Sequence, residues 1–267
     1  MHNDIQIIKA MMRNNVLMFV FTIAFAFVGL TPIEAQRKTV MFDLSHGQCQ
    51  DTYPGHEYYT DILPGYEDLM AQVGARLVVN DSLEITKKSL KNVDALLMLS
   101  PLSNDLQKNI SDAEKVAIVD FVKHGGRLIF FVDDEHRVNL KEYGANDITR
   151  VFGVELGDDI KDIPGNCGAI SFENEIFSRR YEIPYSGARA MKGGIPSSVC
   201  LEGGYLHSSY VKLKNGGRIF VAADTMVGQL MGYPDGVRNV HNKMETRWWG
   251  KDSNEFMRDL LVWALEK

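Results

Sequence analysis

The chain has 267 residues, 45% of them hydrophobic and 24% charged, with a formal net charge of -6 at pH 7. This is ordinary globular composition, long enough for one substantial core, alone or with a large insertion. Lys and Arg form no long runs, which argues against a nucleic-acid partner, since such binding needs a concentrated positive surface.

At the amino terminus, Lys9 and Arg13 precede an apolar run from Val16 to Leu30, followed by TPIEAQ. Basic region, apolar region and small residue stand in the order of a secretory signal, with cleavage expected after Ala35. The expectation is a signal peptide over 1–35, one domain over 36–267, and a periplasmic or secreted location. A retained anchor is the alternative, although the run is shorter than the roughly 20 residues of a relaxed span. No later segment is apolar enough to cross a bilayer, so no stable transmembrane domain is expected after cleavage. The three cysteines, Cys49, Cys167 and Cys200, cannot all pair within one chain and match no compact zinc spacing.

In chain order, RKTVMF (37–42) predicts a short strand that enters the polar loop DLSHGQCQDTYPGHEYYTD. Leu69, Met70 and Val73 have helical spacing within Tyr66 to Val73, and Gly74 closes that helix. ARLVVN gives a second strand, Ser82 to Leu90 a short helix, and VDALLMLSP a third strand stopped at Ser100-Pro101. Ser111 with Glu114 three residues on predicts a capping box at the start of the next helix. Gly125-Gly126 ends that helix. RLIFFV is so continuously apolar that it requires burial on both faces, as in a parallel sheet covered by helices. Strand, helix and strand from Val93 to Val132 therefore read as a right-handed crossover unit.

Ile148 to Lys214 is richer in Gly and lacks crossover periodicity. It is expected to be an irregular insertion or extension, with ISFENEIF and SYVKLK as edge or antiparallel strands. GGRIFVAADT then places a strand over Arg218 to Ala222 before Asp224, and Asn254 is expected to cap a closing helix. The fold expected is α/β: a flavodoxin-like three-layer sandwich with a mostly parallel central sheet.

Such sheets collect ligands beyond the carboxyl ends of their strands. Four points fall there: DLSHGQ, Ser100-Pro101, DDEHR and Asp224-Thr225. In the first, His46 has the chemistry of a general base or metal ligand and Asp43 could orient it, with Ser45 and Gln48 as ligand contacts. His56 and Glu57 join if the loop folds back. Against this, Asp43 and Ser45 also suit an ordinary turn. In DDEHR (133–137), carboxylates beside His136 suit a divalent cation, and Arg137 suits an anionic sugar or carboxylate. Equally, Asp133 or Asp134 could simply cap the next helix. The catalytic candidates are Asp43, His46, Asp134 and Asp224. After the last strand, His241, Asn242, Glu245 and Arg247 stand near Trp248 and Trp249, whose rings could face a sugar or pack the loop. No organic cofactor is expected, because GxGxxG, GxxxxGK, HExxH and GxSxG patterns are missing.

Taken together, VMFDLSHGQ, VDALLMLSP, FVKHGGRLIFFVDD, GGRIFVAADT and NEFMRDLLVWALE resemble the class I glutamine-amidotransferase-like superfamily. The nearer resemblance is to its DUF4350 and gliding-motility-associated exported domains, over most of Lys38 to Lys267. Amidotransferases of this fold use a Cys on a sharp strand-helix elbow with a later His-Glu pair. Here the turn after RLIFFV carries Asp133-Asp134, so the resemblance implies the fold and not glutamine hydrolysis. Domains of this kind occur in sugar-degradation contexts, beside unsaturated rhamnogalacturonyl hydrolases among others, which implies a carbohydrate or cell-envelope component as partner. The leading functional expectation is an exported ligand-binding or accessory protein. The alternatives are a hydrolase of glycans or their esters, acting through strand-end Asp and His residues, and a structural assembly module.

Overall fold

In the computed structural model, the described residues are 37–48, 62–101, 103–161, 168–185, 187, 189–230 and 252–266. The expected signal segment, His56, Glu57, Cys49, Cys167 and the stretch holding His241, Asn242, Glu245, Arg247, Trp248 and Trp249 lie outside them.

Five short apolar runs make the parallel part of the sheet. They are β1 (Thr39–Asp43), β2 (Arg76–Asn80), β3 (Ala95–Leu99), β4 (Arg127–Phe131) and β11 (Arg218–Ala222). Residues 148–214 supply β5 (Val154–Asp159), β6 (Gly168–Ser171), β7 (Glu182–Pro184), β8 (Arg189–Gly193), β9 (Ile195–Cys200) and β10 (Leu206–Lys212). The nine-stranded sheet has the order β2-β1-β3-β4-β11-β10-β9-β6-β7, while β5 and β8 pair separately. Only β10 and β6 run against the other seven strands, so the sheet is mixed and mostly parallel.

Helices cover the two faces. They are α1 (Leu63–Gln72), α2 (Asp112–Lys123), α3 (Leu140–Tyr143), α4 (Ala145–Thr149), α5 (Met226–Leu230) and α6 (Ser253–Leu265). α1, α5 and α6 pack together, as do α2 and α4. The result is the α/β three-layer sandwich of flavodoxin type that the sequence predicts. Phe256 of α6 stacks on Phe177 at 4.3 Å and meets Phe220 of β11 at 6.2 Å, so the closing helix seals the junction between the parallel and antiparallel strands.

Several local expectations shift. Ser82 to Leu90 is a series of bends and turns, not a helix, because Ser89 and Thr86 bond each other and the Ile85 N–H leaves to the Glu114 carboxylate. In ISFENEIF only Ile170 and Ser171 are strand, since Asn174 Oδ1 accepts from the N–H groups of Ile176 and Phe177 and turns the chain. SYVKLK belongs to β10, which is antiparallel as expected but interior between β11 and β9. The closing helix begins at Ser253 with Asp252 as N-cap, two residues ahead of Asn254. The capping box of Ser111 and Glu114 forms as predicted.

Candidate functional site: a bonded polar rim at the strand ends

The parallel strands end in step. Asp43 is opposite Asn80 and Met98, Leu99 is opposite Phe131, and Phe131 is opposite Ala222. The residues that follow these strands therefore share one edge. The loops opening at Asp43, Ser100, Asp133 and Asp224 are brought together there, and hydrogen bonds join them into one rim.

At the β1 end, His46 is clamped between two carboxylates. Its Nδ1 lies 2.6 Å from Asp43 Oδ2, and its Nε2 lies 3.4 Å from Glu114 Oε1 on α2. Asp43 Oδ1 accepts from Ser45 Oγ and Asn80 Nδ2, each at 2.8 Å. Glu114 closes the capping box by accepting the Ser111 N–H at 2.9 Å and also takes the Ile85 N–H at 2.9 Å. Burial disfavours a charged imidazole, but the bonds to Asp43 and Glu114 and their fields outweigh it and raise His46 from 6.5 to about 9. For Glu114, burial likewise opposes charge, but the bonds from His46, Ile85 and Ser111 hold its carboxyl down at about 2. His46 is thus an imidazolium at neutral pH with both N–H groups engaged. A general base must offer a free lone pair, so this geometry does not equip His46 for that role.

The turn behind His46 depends on a glycine. Gly47 has φ +102°, and a Cβ there would stand 2.0 Å from the Leu106 carbonyl oxygen. The Gln48 side chain then links the loop to β3: Oε1 accepts the His46 N–H at 2.8 Å, and Nε2 donates to the Leu99 carbonyl at 2.7 Å.

The rim continues through Ser100, whose Oγ accepts the Asp133 N–H at 2.9 Å. Asp133 stands at the end of the central strand β4. Its Oδ2 accepts from Thr225 Oγ1 at 2.5 Å and lies 4.0 Å from Arg137 Nε, while its Oδ1 accepts the Asp134 N–H at 2.9 Å. Burial, then the neighbouring Asp134 charge, pushes the Asp133 carboxyl up to about 6. Asp134 has the other role: it is half-buried, and its Oδ1 accepts the Arg137 N–H at 3.3 Å. Of the two aspartates offered as a cap, Asp134 takes that part, and Asp133 is bonded into the rim. His136 is exposed. Asp224 Oδ1 accepts the Met226 N–H at 2.7 Å and starts α5.

Two contributions carry no motif in the sequence. Arg189 of β8, fully buried, reaches back across the fold. Its Nε donates to the Asp133 carbonyl at 2.5 Å, its Nη2 to the Val138 carbonyl, and its Nη1 pairs with Glu135 at 2.8 Å. The stretch read as irregular thus fastens the DDEHR turn. Beside that turn opens a cavity of about 810 Å³, lined among others by Glu135, Lys141, Arg150, Asp158, Asp159 and Arg189. The second contribution is Glu114, read from sequence only as a cap, which also holds the rim histidine.

Among the described residues, no group of three or more His, Cys, Asp and Glu side chains is placed to hold a metal ion. Cys200 is buried. No described helix is long and apolar enough to cross a membrane.

Fold and rim define an α/β domain with a polar strand-end edge. No family model matches the chain, and no curated protein matches it. Solved structures do. The mmIFT52 N-terminal domain superposes with a TM-score of 0.60 at 10% identity, covering 86% of this chain and 98% of its own. A protein titled cytoplasmic protein STM3548 from Salmonella typhimurium gives 0.51 at 13% identity, over 85% of this chain and 97% of its own. A segment of the β-galactosidase from Rahnella sp. R3 gives 0.46 at 14% identity, over 70% of this chain and 28% of that one. At such identities the likeness is one of fold. It corrects one expectation: a similar structure belongs to a protein titled cytoplasmic, which conflicts with the periplasmic or secreted location read from the amino-terminal segment. Nothing in a strand-end rim requires export, and that location is not retained.

Proposed function

We propose that this chain is a ligand-binding or accessory domain that works with a carbohydrate, in a noncatalytic branch of the glutamine-amidotransferase-like fold. The observation that carries the reading is the closure of the rim. His46 has both ring nitrogens committed to carboxylates, Gln48 both ends of its amide to backbone, and Asp133 both oxygens to donors. Hydrolysis asks for a base or nucleophile with unused capacity facing a substrate. A recognition site asks instead for rigid, pre-bonded walls beside a concave volume. The turn after β4 presents Asp133 where an amidotransferase of this fold would carry Cys, which supports the same branch. The cavity beside that turn is within the range of small-ligand sites, roughly 300–1,000 Å³.

The test is calorimetric titration of the full chain with a panel of neutral and acidic oligosaccharides, alongside product analysis by chromatography. Saturable binding with unchanged sugar is the expected result. Turnover that disappears in both Asp43→Asn and His46→Gln, with folding intact, would return the chain to the hydrolases and refute the reading.

A further inference from the structure

The two outer strands of the nine-stranded sheet are finished differently. β7 is only three residues long and has no donor to spare. Glu182 gives its N–H to the Asp252 carboxylate at 2.7 Å, Pro184 has no N–H, and Ile183 between them faces β6. β2, at the opposite edge, carries the apolar run Leu77-Val78-Val79. That is the composition of an interior strand such as β1 or β3, which are buried throughout. In β2 the run is only partly covered: Leu77 and Val78 are half-buried, and Val79 is 37% exposed.

The parallel ladder fixes which backbone groups face out. The Arg76 N–H donates to the Lys38 carbonyl and the Asn80 carbonyl accepts the Leu44 N–H, so Arg76, Val78 and Asn80 bond to β1. Leu77 and Val79 therefore turn N–H and C=O away from the sheet, where no described residue meets them. The devices that ordinarily blunt such an edge are missing. The strand holds no Pro and no Lys, and no bulge breaks its register with β1. Leu83, just beyond the strand, is 70% exposed, more than any other large apolar side chain described.

We propose that the outer edge of β2 pairs with β2 of a second copy of this chain, antiparallel about a two-fold axis at Val78, joining two sheets into one. Leu77 of each copy then faces Val79 of the other, and such pairs exchange both of their hydrogen bonds, so every outward backbone group of both strands is used. The charges select this occupant and this direction. Arg76 is exposed at the start of the strand, and Asp81 and Glu84 are exposed just past its end. An antiparallel copy lays the basic end of each strand beside the acidic end of the other, whereas a parallel copy would set like against like. A two-fold contact closes on itself, and the blunted β7 edge gives no second place to extend the sheet. Asn80, whose amide donates to Asp43 at 2.8 Å, ends the paired strand, so the two rims stand at opposite edges of the joined sheet. The inference is independent of the ligand-binding reading above.

The test is sedimentation equilibrium of the full chain together with disulfide trapping. The chain should sediment at twice the mass of one copy. Val78→Cys should form a symmetric intermolecular disulfide under mild oxidation. Residues of a non-hydrogen-bonded pair lie about 4.5 Å apart at Cα, within the roughly 4.4–6.8 Å that a disulfide spans. Arg76→Cys, which faces Asn80 across the axis, should not. Val79→Pro removes an outward donor that the single chain does not use and should weaken association at least about tenfold. Val79→Lys, which leaves the backbone intact, should do the same and stands in if the proline disturbs the fold. A chain that is monomeric at high micromolar concentration overturns the inference, as does an extended segment of another protein taking the edge in place of the second copy. A dimer undiminished in both Val79 variants belongs to another surface and overturns it too. So does a Val78→Cys chain that crosslinks no more than the native cysteines allow.

Discussion

Two buried histidines on one sheet edge have been treated in opposite ways. His46, where the parallel strands end, is surrounded by carboxylates and held charged, raised to about 9. His207, in the antiparallel continuation, is surrounded by hydroxyls and a phenol ring and held neutral, lowered to about 4. Burial opposes the charge in both; only in the first do paired anions overcome it. The contrast separates a charged fastening from a neutral one. The imidazolium has both nitrogens paired, whereas Nε2 of the neutral ring has no hydrogen-bond partner among the described residues.

Breaking the charged region should have the largest effect. Glu114→Ala removes one wall of the His46 clamp and the acceptor of the Ile85 and Ser111 N–H groups, and should cost about 3–5 kcal/mol in urea unfolding. A loss below 1 kcal/mol would mean that the clamp is loose in solution.

The next effect is one of pH. His46 has a raised folded pKa, so its contribution is complete below 6.5 and is lost as pH climbs through about 9. Glu114 is depressed, so its part is complete above 4.5 and lost as pH falls through about 2. With Asp133 at about 6 and His207 at about 4, His46 is the one rim group of these four that titrates between 6.5 and 9. Stability should fall by on the order of 3 kcal/mol across that interval. His46→Gln should flatten this limb, and a limb that persists in the variant would assign it elsewhere.

The smallest effect should come from the neutral region. Ser198→Ala breaks the hydroxyl chain that joins His207 to Ser208 and should cost about 1–2 kcal/mol. Because no charge changes there above 6.5, the loss should be the same at pH 7 and pH 9. A loss that grows with pH would couple the two histidines and weaken the distinction between them.

The same division decides what was legible in the sequence. RLIFFV, RIFVA and ALLML announce themselves because strands covered on both faces must be apolar throughout. Once those strands were ordered in parallel, Asp43, Asp133 and Asp224 had to share an edge. Residues 148–214 hid their structure because β9 and β10 bury serines and a histidine, and hydropathy reads buried polar residues as loop. The bulged register between them removes the alternation as well. Arg189 could not be found, since its partners are backbone carbonyls from 51 and 56 residues away. Which of Asp133 and Asp134 is bonded into the rim was not legible for a local reason: adjacent residues after a strand point to opposite sides, and only the strand's pleat says which one faces the edge.

The most direct measurement is the ¹⁵N titration of the His46 imidazole in the full chain. A ring protonated on both nitrogens at pH 7.5, releasing its proton near 9, is what a closed rim requires. A neutral ring at pH 7.5, with a midpoint at or below 6.5, would leave His46 free to act as a base and contradict the account.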